Sequence, residues 1–168
     1  HVTWLPFIGA TQELKTKPTQ HSVAALRSIG IAPNMIIARS DHPVEEGLCE
    51  KIALFCDVDK RAVIPMVTSQ VLYEVPLLLE DAGVGDYLVE LLGLKAREKP
   101  DWGPWRTLVE KVRKRKPMVK IALVGKYVEL KDAYMSVRES VNHAALSLGL
   151  EADIQWLLSS DLEKGKDW

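Results

Sequence analysis

The chain has 168 residues, of which 47% are hydrophobic, and its 22 basic and 23 acidic side chains leave a formal net charge of −1. This composition predicts a packed core and excludes a disordered tail or a protein drawn to nucleic acid or membranes by its overall charge. No apolar run approaches the ~20 residues that span a bilayer, and the opening residues lack the pattern of a signal peptide. We therefore expect a cytoplasmic protein with one domain, or with one domain and part of another.

The first part of the chain alternates between predicted strands and helices. In order, these are a buried strand over 2–8, a helix over 22–28, a buried strand over 34–39, a helix over 44–55 and a strand over 61–67. Gly30 is in the position expected to end the first helix. The alternation predicts a parallel sheet with right-handed crossovers and covering helices, in which ligands bind beyond the carboxyl ends of the strands.

Two cysteines, Cys49 and Cys56, lie seven residues apart on the second predicted helix. No other Cys or His stands near them at the spacing of metal ligands. We therefore expect two reduced thiols that face the core, rather than a zinc site.

Shorter elements follow the third strand. Ser69 is a predicted N-cap for a helix that reaches Tyr73, and Pro76 is expected to kink or restart that helix. Gly83 precedes a short amphipathic helix predicted over 86–92.

The segment 95–117 is charged and contains several prolines, which favours an interdomain connector with a short helix. Trp102 and Trp105 are predicted to anchor it to a neighbouring surface. Its basic cluster, 111–116, is more typical of a solvated helix end than of a nucleic-acid site, because no aromatic residues are interleaved with the charges.

A second α/β pattern begins at Met118, with a buried strand over 118–127, a helix over 132–150 and a strand over 153–158. It stops before such a unit could close its core. Because the chain also begins with His1 and stops at Trp168 within a charged stretch, we expect it to be a piece of a longer protein.

A cluster of hydrogen-bond donors stands between the first predicted strand and the first helix. It consists of Lys15, Thr16, Lys17, Thr19 and Gln20, with Pro18 restricting the backbone among them. A loop that leads into a helix presents free backbone N–H groups and the positive end of the helix dipole, so the segment suits a polyphosphate. A solvated turn, with lysines present for solubility, is an equally good interpretation of the spacing alone.

Lys51 on the second predicted helix has the same two interpretations. It is either a surface lysine or a third cation for the same phosphates.

Other phosphate and catalytic motifs are excluded. The segment VGKY resembles the end of a Walker loop, but Lys120 stands where glycine is needed and Tyr127 where Ser or Thr should hold magnesium. The sequence has no dinucleotide-type glycine motif, no nucleophile elbow and no cysteine in a strand-to-helix turn. We find no complete catalytic set and no metal site.

Five segments in order closely resemble the CTP synthase family. They are KTKPTQHSV (15–23), SIGIAPNMIIARS (28–40), KIALFCDV (51–58), YEVPLLL (73–79) and VGKYVELKDAYMSV (124–137). The resemblance extends over essentially the whole chain, from about 5 to 157. It implies a Rossmann-like, P-loop-type fold for 1–94, the carboxyl-terminal part of an amidoligase domain, then a linker over 95–117 and the incomplete start of a class I glutaminase domain over 118–168.

The family resemblance also implies an activity. CTP synthase is a magnesium-dependent ligase of pyrimidine biosynthesis that uses ATP to activate UTP and ammonia from glutamine to form CTP. The family's ATP loop, magnesium ligands and glutaminase catalytic residues belong to segments that are not in this sequence, so the 168 residues alone are expected to be inactive. The resemblance further implies a homotetramer.

Particular residues match the family's binding positions. The resemblance assigns UTP, or CTP as feedback inhibitor, to Lys15, Thr16, Lys17, Pro18, Thr19, Gln20 and Lys51. It assigns ATP to Arg39, Val67, Thr68 and Ser69. Many family members have Asp and Val in place of Thr68 and Ser69, which puts a side-chain role there in doubt and leaves a backbone role open.

Two other functions remain compatible with the sequence. One is a nucleotide-binding regulatory module without catalysis, and the other is an oligomer-assembly element. Nucleotide binding by the chain alone favours the first, and concentration-dependent association without nucleotide favours the second.

Overall fold

The computed structural model describes residues 1–95 and 98–163. Residues 96 and 97, in the predicted connector, and 164–168, in the predicted glutaminase part, lie outside the described residues. The chain divides into two compact units, His1–Arg106 and Thr107–Trp168. The division into parts at 94 and 117 stays a prediction.

The first unit begins with three short strands: β1 (Val2–Trp4), β2 (Phe7–Ile8) and β3 (Glu13–Leu14). β1 belongs to a parallel sheet, whereas β2 and β3 form an antiparallel hairpin. The prediction of one buried strand over 2–8 is therefore wrong. Pro6 separates the two strands, because its nitrogen has no hydrogen with which to continue a ladder.

The remaining predicted elements up to Val67 are confirmed in type and order. They are α1 (Lys17–Ser28), β4 (Ile36–Ser40), α2 (Glu46–Cys56) and β5 (Val63–Val67). β4 lies between β1 and β5, and both pairings are parallel. α1 packs on β1 and α2, and α2 packs on β5, so the fold is α/β with both helices on one face of the sheet.

The core lies between the sheet and these two helices. Its buried residues include Leu5, Leu14, Val23, Ile36, Ala38, Cys49, Ile52, Ala53, Cys56 and Val63. Both cysteines are buried and free, which confirms the core-facing prediction. Burial raises the pKa of both thiols, because a buried thiolate loses its hydration.

The first helix starts five residues earlier than predicted. α1 begins at Lys17, with Pro18 at the second helical position, where its fixed φ angle favours a helix start. Four of the six residues of the donor-rich segment, 17–20, thus form the first turn of a helix rather than a loop. Gly30 adopts φ +87° beyond the helix end, as its predicted role requires.

The first elements after β5, between Ser69 and Pro76, differ from the prediction. A 3-10 turn, Leu72–Glu74, leads directly into α3 (Val75–Asp81), so Pro76 restarts a helix rather than kinking one. Ser69 is not the N-cap of an α-helix. α4 (Val84–Leu91) follows Gly83, which adopts φ +73°.

The predicted connector contains α5 (Gly103–Arg113). The Trp105 indole N–H donates to the carbonyl oxygen of Tyr73 at 2.7 Å, and the two rings meet edge-on with centroids 6.5 Å apart. Trp105 therefore anchors the beginning of α5 to the first unit, as predicted. Trp102 is half-buried.

The second unit contains β6 (Met118–Gly125), a 3-10 turn, α6 (Met135–Ser147), β7 (Glu151–Leu158) and α7 (Ser159–Glu163). β6 and β7 are parallel over their full length, which confirms the predicted β-α-β order. No helix within residues 1–95 and 98–163 has the length and apolar character needed to cross a membrane.

The end of β6 depends on a close approach by Tyr134. Its hydroxyl oxygen accepts hydrogen bonds from the backbone N–H groups of Lys126 and Tyr127, at 3.0 and 3.2 Å. A Cβ atom on Gly125 would lie 2.5 Å from that oxygen, so only glycine leaves room for it.

Candidate functional site

The predicted binding residues of the first unit gather at the carboxyl edge of its sheet. β1, β4 and β5 are parallel and end at Trp4, Ser40 and Val67. The β2–β3 hairpin and the start of α1 follow β1 at this edge. This is where ligands bind in open α/β sheets.

The start of α1 has the features of an anion site. Thr16 is the N-cap, but its side chain makes no capping hydrogen bond, and the first turn contains no acidic residue. Pro18 has no N–H to satisfy. The positive end of the helix dipole is therefore not neutralised within the helix, and Lys17 adds a cation at the first helical position.

Two threonine hydroxyls in this segment are directed inward rather than to solvent. Thr19 has no exposed surface, and its hydroxyl donates to Thr3 Oγ1 on β1 at 3.0 Å. Thr16 is 3% exposed, and its hydroxyl oxygen accepts from the Gln20 amide at 3.2 Å. The Thr19 contact ties the helix start to β1, and the Thr16 contact lies within the helix start itself. Nucleotide binding through these two side chains stays a prediction.

The three predicted cations differ in their partners. Lys15 is half-buried and forms an ion pair with Glu13. Lys17 and Lys51 are exposed, and neither makes an ion pair or a side-chain hydrogen bond with the residues that the structure describes. Lys17 and Lys51 are thus available to a ligand.

The Glu13 carboxylate interacts with the predicted cations. The pKa of Glu13 lies below its usual range, chiefly because it accepts a hydrogen bond from Lys15, and also because of a hydrogen bond with Thr11. The positive charge of Lys51 contributes further to lowering that pKa. Of the causes of this shift Lys51 is the smallest, and Lys15 is the lysine that pairs directly with the carboxylate.

The residues predicted to contact ATP lie at the ends of β4 and β5. Arg39 is exposed, with its guanidinium carbon 5.7 Å from the centre of the Trp4 ring. Val67 is 41% exposed. The backbone N–H and the hydroxyl of Thr68 both donate to the carbonyl oxygen of Ser40, at 2.8 and 3.3 Å.

The side chain of Ser69 is also engaged within the protein. Its hydroxyl donates to the Glu74 carboxylate at 2.5 Å and accepts from the Val71 N–H at 3.0 Å. The hydroxyls of Thr68 and Ser69 therefore hold the end of β5 to its neighbours. Their proposed contact with ATP stays a prediction.

The sequence argument missed three residues beside the site: Phe7, Glu13 and His42. The Phe7 and His42 rings stack with centroids 4.0 Å apart and an interplanar angle of 27°. Glu13 was not predicted, because donors and cations signal a phosphate site and a carboxylate does not. The glycine-containing segment 9–12, between the apolar pair Phe7–Ile8 and Leu14, was the available signal of a hairpin.

The described parts of the chain, 1–95 and 98–163, contain no group of three or more His, Cys, Asp or Glu side chains that could hold a metal ion. The carboxyl end of the sheet instead carries a helix start with Lys15 and Lys17. Groups of this kind are suited to the binding and orientation of a polyanion.

Comparison with known proteins identifies the family. A family model described as CTP synthase N-terminus matches residues 1–94. Proteins named CTP synthase from Dehalococcoides mccartyi (strain CBDB1), Chloroflexus aggregans and Roseiflexus castenholzii are 58%, 56% and 54% identical to this chain. Each match covers 98% of the chain but only 29 to 30% of the relative. The chain thus spans about 30% of the length of these relatives, and it belongs to the CTP synthase family.

Proposed function

We propose that this chain supplies the pyrimidine-nucleotide site of a glutamine-hydrolysing CTP synthase, a ligase that aminates UTP to CTP at the expense of ATP. The observation that supports this proposal most strongly is the electrostatic arrangement at the start of α1. Lys15 pairs with the Glu13 carboxylate, and the uncapped start of α1, with exposed Lys17, follows directly along the chain.

In this proposal a triphosphate takes the place of Glu13 as the partner of the lysines. Lys15, Lys17 and Lys51 neutralise its charge, and the N–H groups at the start of α1 donate to its oxygens. Gln20 adds an amide that donates or accepts. The same site binds UTP as substrate and CTP as inhibitor, because both carry the same triphosphate.

The contribution of this site to the reaction is orientation. The bound triphosphate fixes the position of the uracil ring, so that a uracil oxygen meets the γ-phosphoryl group of ATP. ATP, when bound, supplies that phosphoryl group. Arg39 and the backbone of Val67, Thr68 and Ser69 are proposed to contact ATP, since they end the two strands beside the nucleotide site. We assign no step to magnesium, since its ligands are proposed to lie in other segments of the longer protein.

The remaining features of the proposal concern the whole enzyme. We propose that 1–94 belongs to the amidoligase domain, 95–117 to the linker and 118–168 to the glutaminase domain. Glutamine hydrolysis and the passage of ammonia then involve segments other than this one. A cytoplasmic homotetramer is proposed as the working assembly.

Lys17→Ala in the full-length enzyme tests the proposal. Removal of one charge-assisted contact is expected to raise the KM for UTP about ten- to a hundredfold. The rate of glutamine hydrolysis is expected to change less than about twofold, because Lys17 lies in the part of the chain that we assign to the amidoligase domain. Steady-state CTP formation and glutamate release are measured in parallel, with Lys120→Ala in β6 as the matched lysine control.

An unchanged KM for UTP contradicts the proposed site. If the full-length wild-type protein binds UTP but forms no CTP, the result favours a regulatory module instead. Association that depends on protein concentration, without nucleotide binding, favours an assembly element.

A further inference from the structure

We infer that His42 is a positioning residue, whose ring holds the β2–β3 hairpin through Phe7 and so places Lys15 for the triphosphate. This inference rests on the proposed function. His42 itself contacts no nucleotide in this account, and it acts only through the hairpin.

The hairpin needs an anchor outside its own backbone. β2 and β3 pair over only two residue pairs, Phe7 with Leu14 and Ile8 with Glu13. A hairpin this short is unstable on its own. Its turn includes Gln12 at φ +53°, a left-handed conformation that costs free energy in a residue other than glycine.

Lys15 follows this hairpin directly. Its backbone N–H donates to the carbonyl oxygen of Pro6 at 3.0 Å, next to the pair formed by Phe7 and Leu14. Leu14 is 8% exposed and belongs to the core, which fixes one side of the hairpin. Phe7 is partly buried against that core, and its ring stacks on His42. A shift of Phe7 would therefore move the backbone position that carries Lys15.

His42 is in turn fixed to the sheet. Its backbone N–H donates to Ser40 Oγ at 3.0 Å, and Ser40 is fully buried at the end of β4. The carbonyl oxygen of Ser40 accepts from the Thr68 N–H at 2.8 Å. The position of the His42 backbone thus follows from two adjacent strand ends, and its ring transmits that position to the hairpin.

The stack of Phe7 on His42 borders open space. A cleft of about 380 Å³ lies beside the stack, lined by residues that include Phe7, Glu13, His42, Glu45 and Leu48. A smaller residue at 42 would leave Phe7 facing this open space. The hairpin would then have room to move, and Lys15 would no longer be held in one place.

The test compares His42→Ala with His42→Phe in the full-length enzyme. Alanine removes the ring, whereas phenylalanine keeps an aromatic stack of similar geometry. The Kd for UTP and the hydrogen exchange of the backbone amides of 7–15 are measured for both variants. We expect His42→Ala to weaken UTP binding about three- to tenfold and to speed amide exchange in the hairpin, and His42→Phe to restore both.

A kinetic measurement distinguishes a role of His42 in positioning Lys15 from a general loss of folded enzyme. His42→Ala is expected to raise the KM for UTP by the same factor while kcat at saturating UTP stays within about twofold, because saturation selects the productive position of Lys15.

Unchanged hairpin exchange in His42→Ala overturns the inference, and so does faster exchange with unchanged UTP affinity. If Lys17→Ala weakens UTP binding and His42→Ala does not, the proposed function stands and this inference is wrong. If the wild-type enzyme binds no UTP, both are wrong.

Discussion

Lys15 and Lys17 are two residues apart, but different parts of the structure hold them in place. Lys17 begins α1, and Thr19 ties that helix start to β1 through a buried hydrogen bond. Lys15 follows a hairpin of two residue pairs that is held by Leu14 and by the stack of Phe7 on His42. The side of the site that carries Lys17 is therefore held to the main sheet, whereas the side that carries Lys15 follows a small separate hairpin. A local sequence motif can thus depend on two separate sets of contacts.

Of the two sides of the site, the start of α1, which is held to the sheet, is expected to show the larger effect when it is disturbed. Thr19→Val in the full-length protein tests this. Valine keeps the volume but leaves the buried Thr3 hydroxyl without its donor, which is expected to cost about 1–3 kcal/mol of unfolding free energy. Thermal or denaturant unfolding measures this change.

Ser28→Ala is the matched control, because Ser28 is an exposed hydroxyl residue at the end of the same helix. Its effect is expected to stay within about 0.5 kcal/mol. Equal effects of the two substitutions would show that the Thr19 to Thr3 contact does not anchor the helix start.

A smaller effect, on the affinity for UTP, is expected from Glu13→Gln in the β2–β3 hairpin. The carboxylate competes with a triphosphate for Lys15 and Lys51, so its removal is expected to tighten UTP binding about two- to threefold at neutral pH. Glutamine keeps the length of the side chain, and the Kd for UTP measures the effect. Weaker binding in Glu13→Gln would instead show that the carboxylate is needed to orient Lys15.

The direction of the pH dependence follows from the lowered pKa of Glu13. The ion pair with Lys15 is fully present above the ordinary pKa of a glutamate and is lost as the pH falls through the lowered pKa. The affinities of wild type and Glu13→Gln for UTP should therefore differ at neutral pH and converge in acid.

Much of the first unit could be predicted from the sequence because its signals were local. The apolar run around Ile36 and Ala38 predicted a buried strand, and Gly30 marked the end of α1. The packing of α2 on α1 and β5, which sets the position of Lys51, could not be predicted, because it joins segments that are far apart in the sequence.

The hairpin was missed for a different physical reason. An apolar run across Pro6 is typical of a single strand, and this pattern outweighed the weaker turn signal of 9–12, so the pairing of Phe7 with Leu14 was not predicted. The stack of Phe7 on His42 joins residues 35 positions apart, and no local pattern signals such a contact. The inward direction of the Thr19 hydroxyl could not be predicted for the same reason, since it depends on where β1 lies.

The most direct test of the proposed triphosphate site is lysine footprinting of the full-length wild-type enzyme, with and without UTP. Acylation of each lysine at neutral pH is followed by mass spectrometry, and Lys120 in β6 serves as an internal reference. We predict that UTP protects Lys17 and Lys51 several-fold while Lys120 is unaffected, since phosphate contacts shield an ammonium group. Equal reactivity of Lys17 and Lys51 with and without saturating UTP would contradict the account.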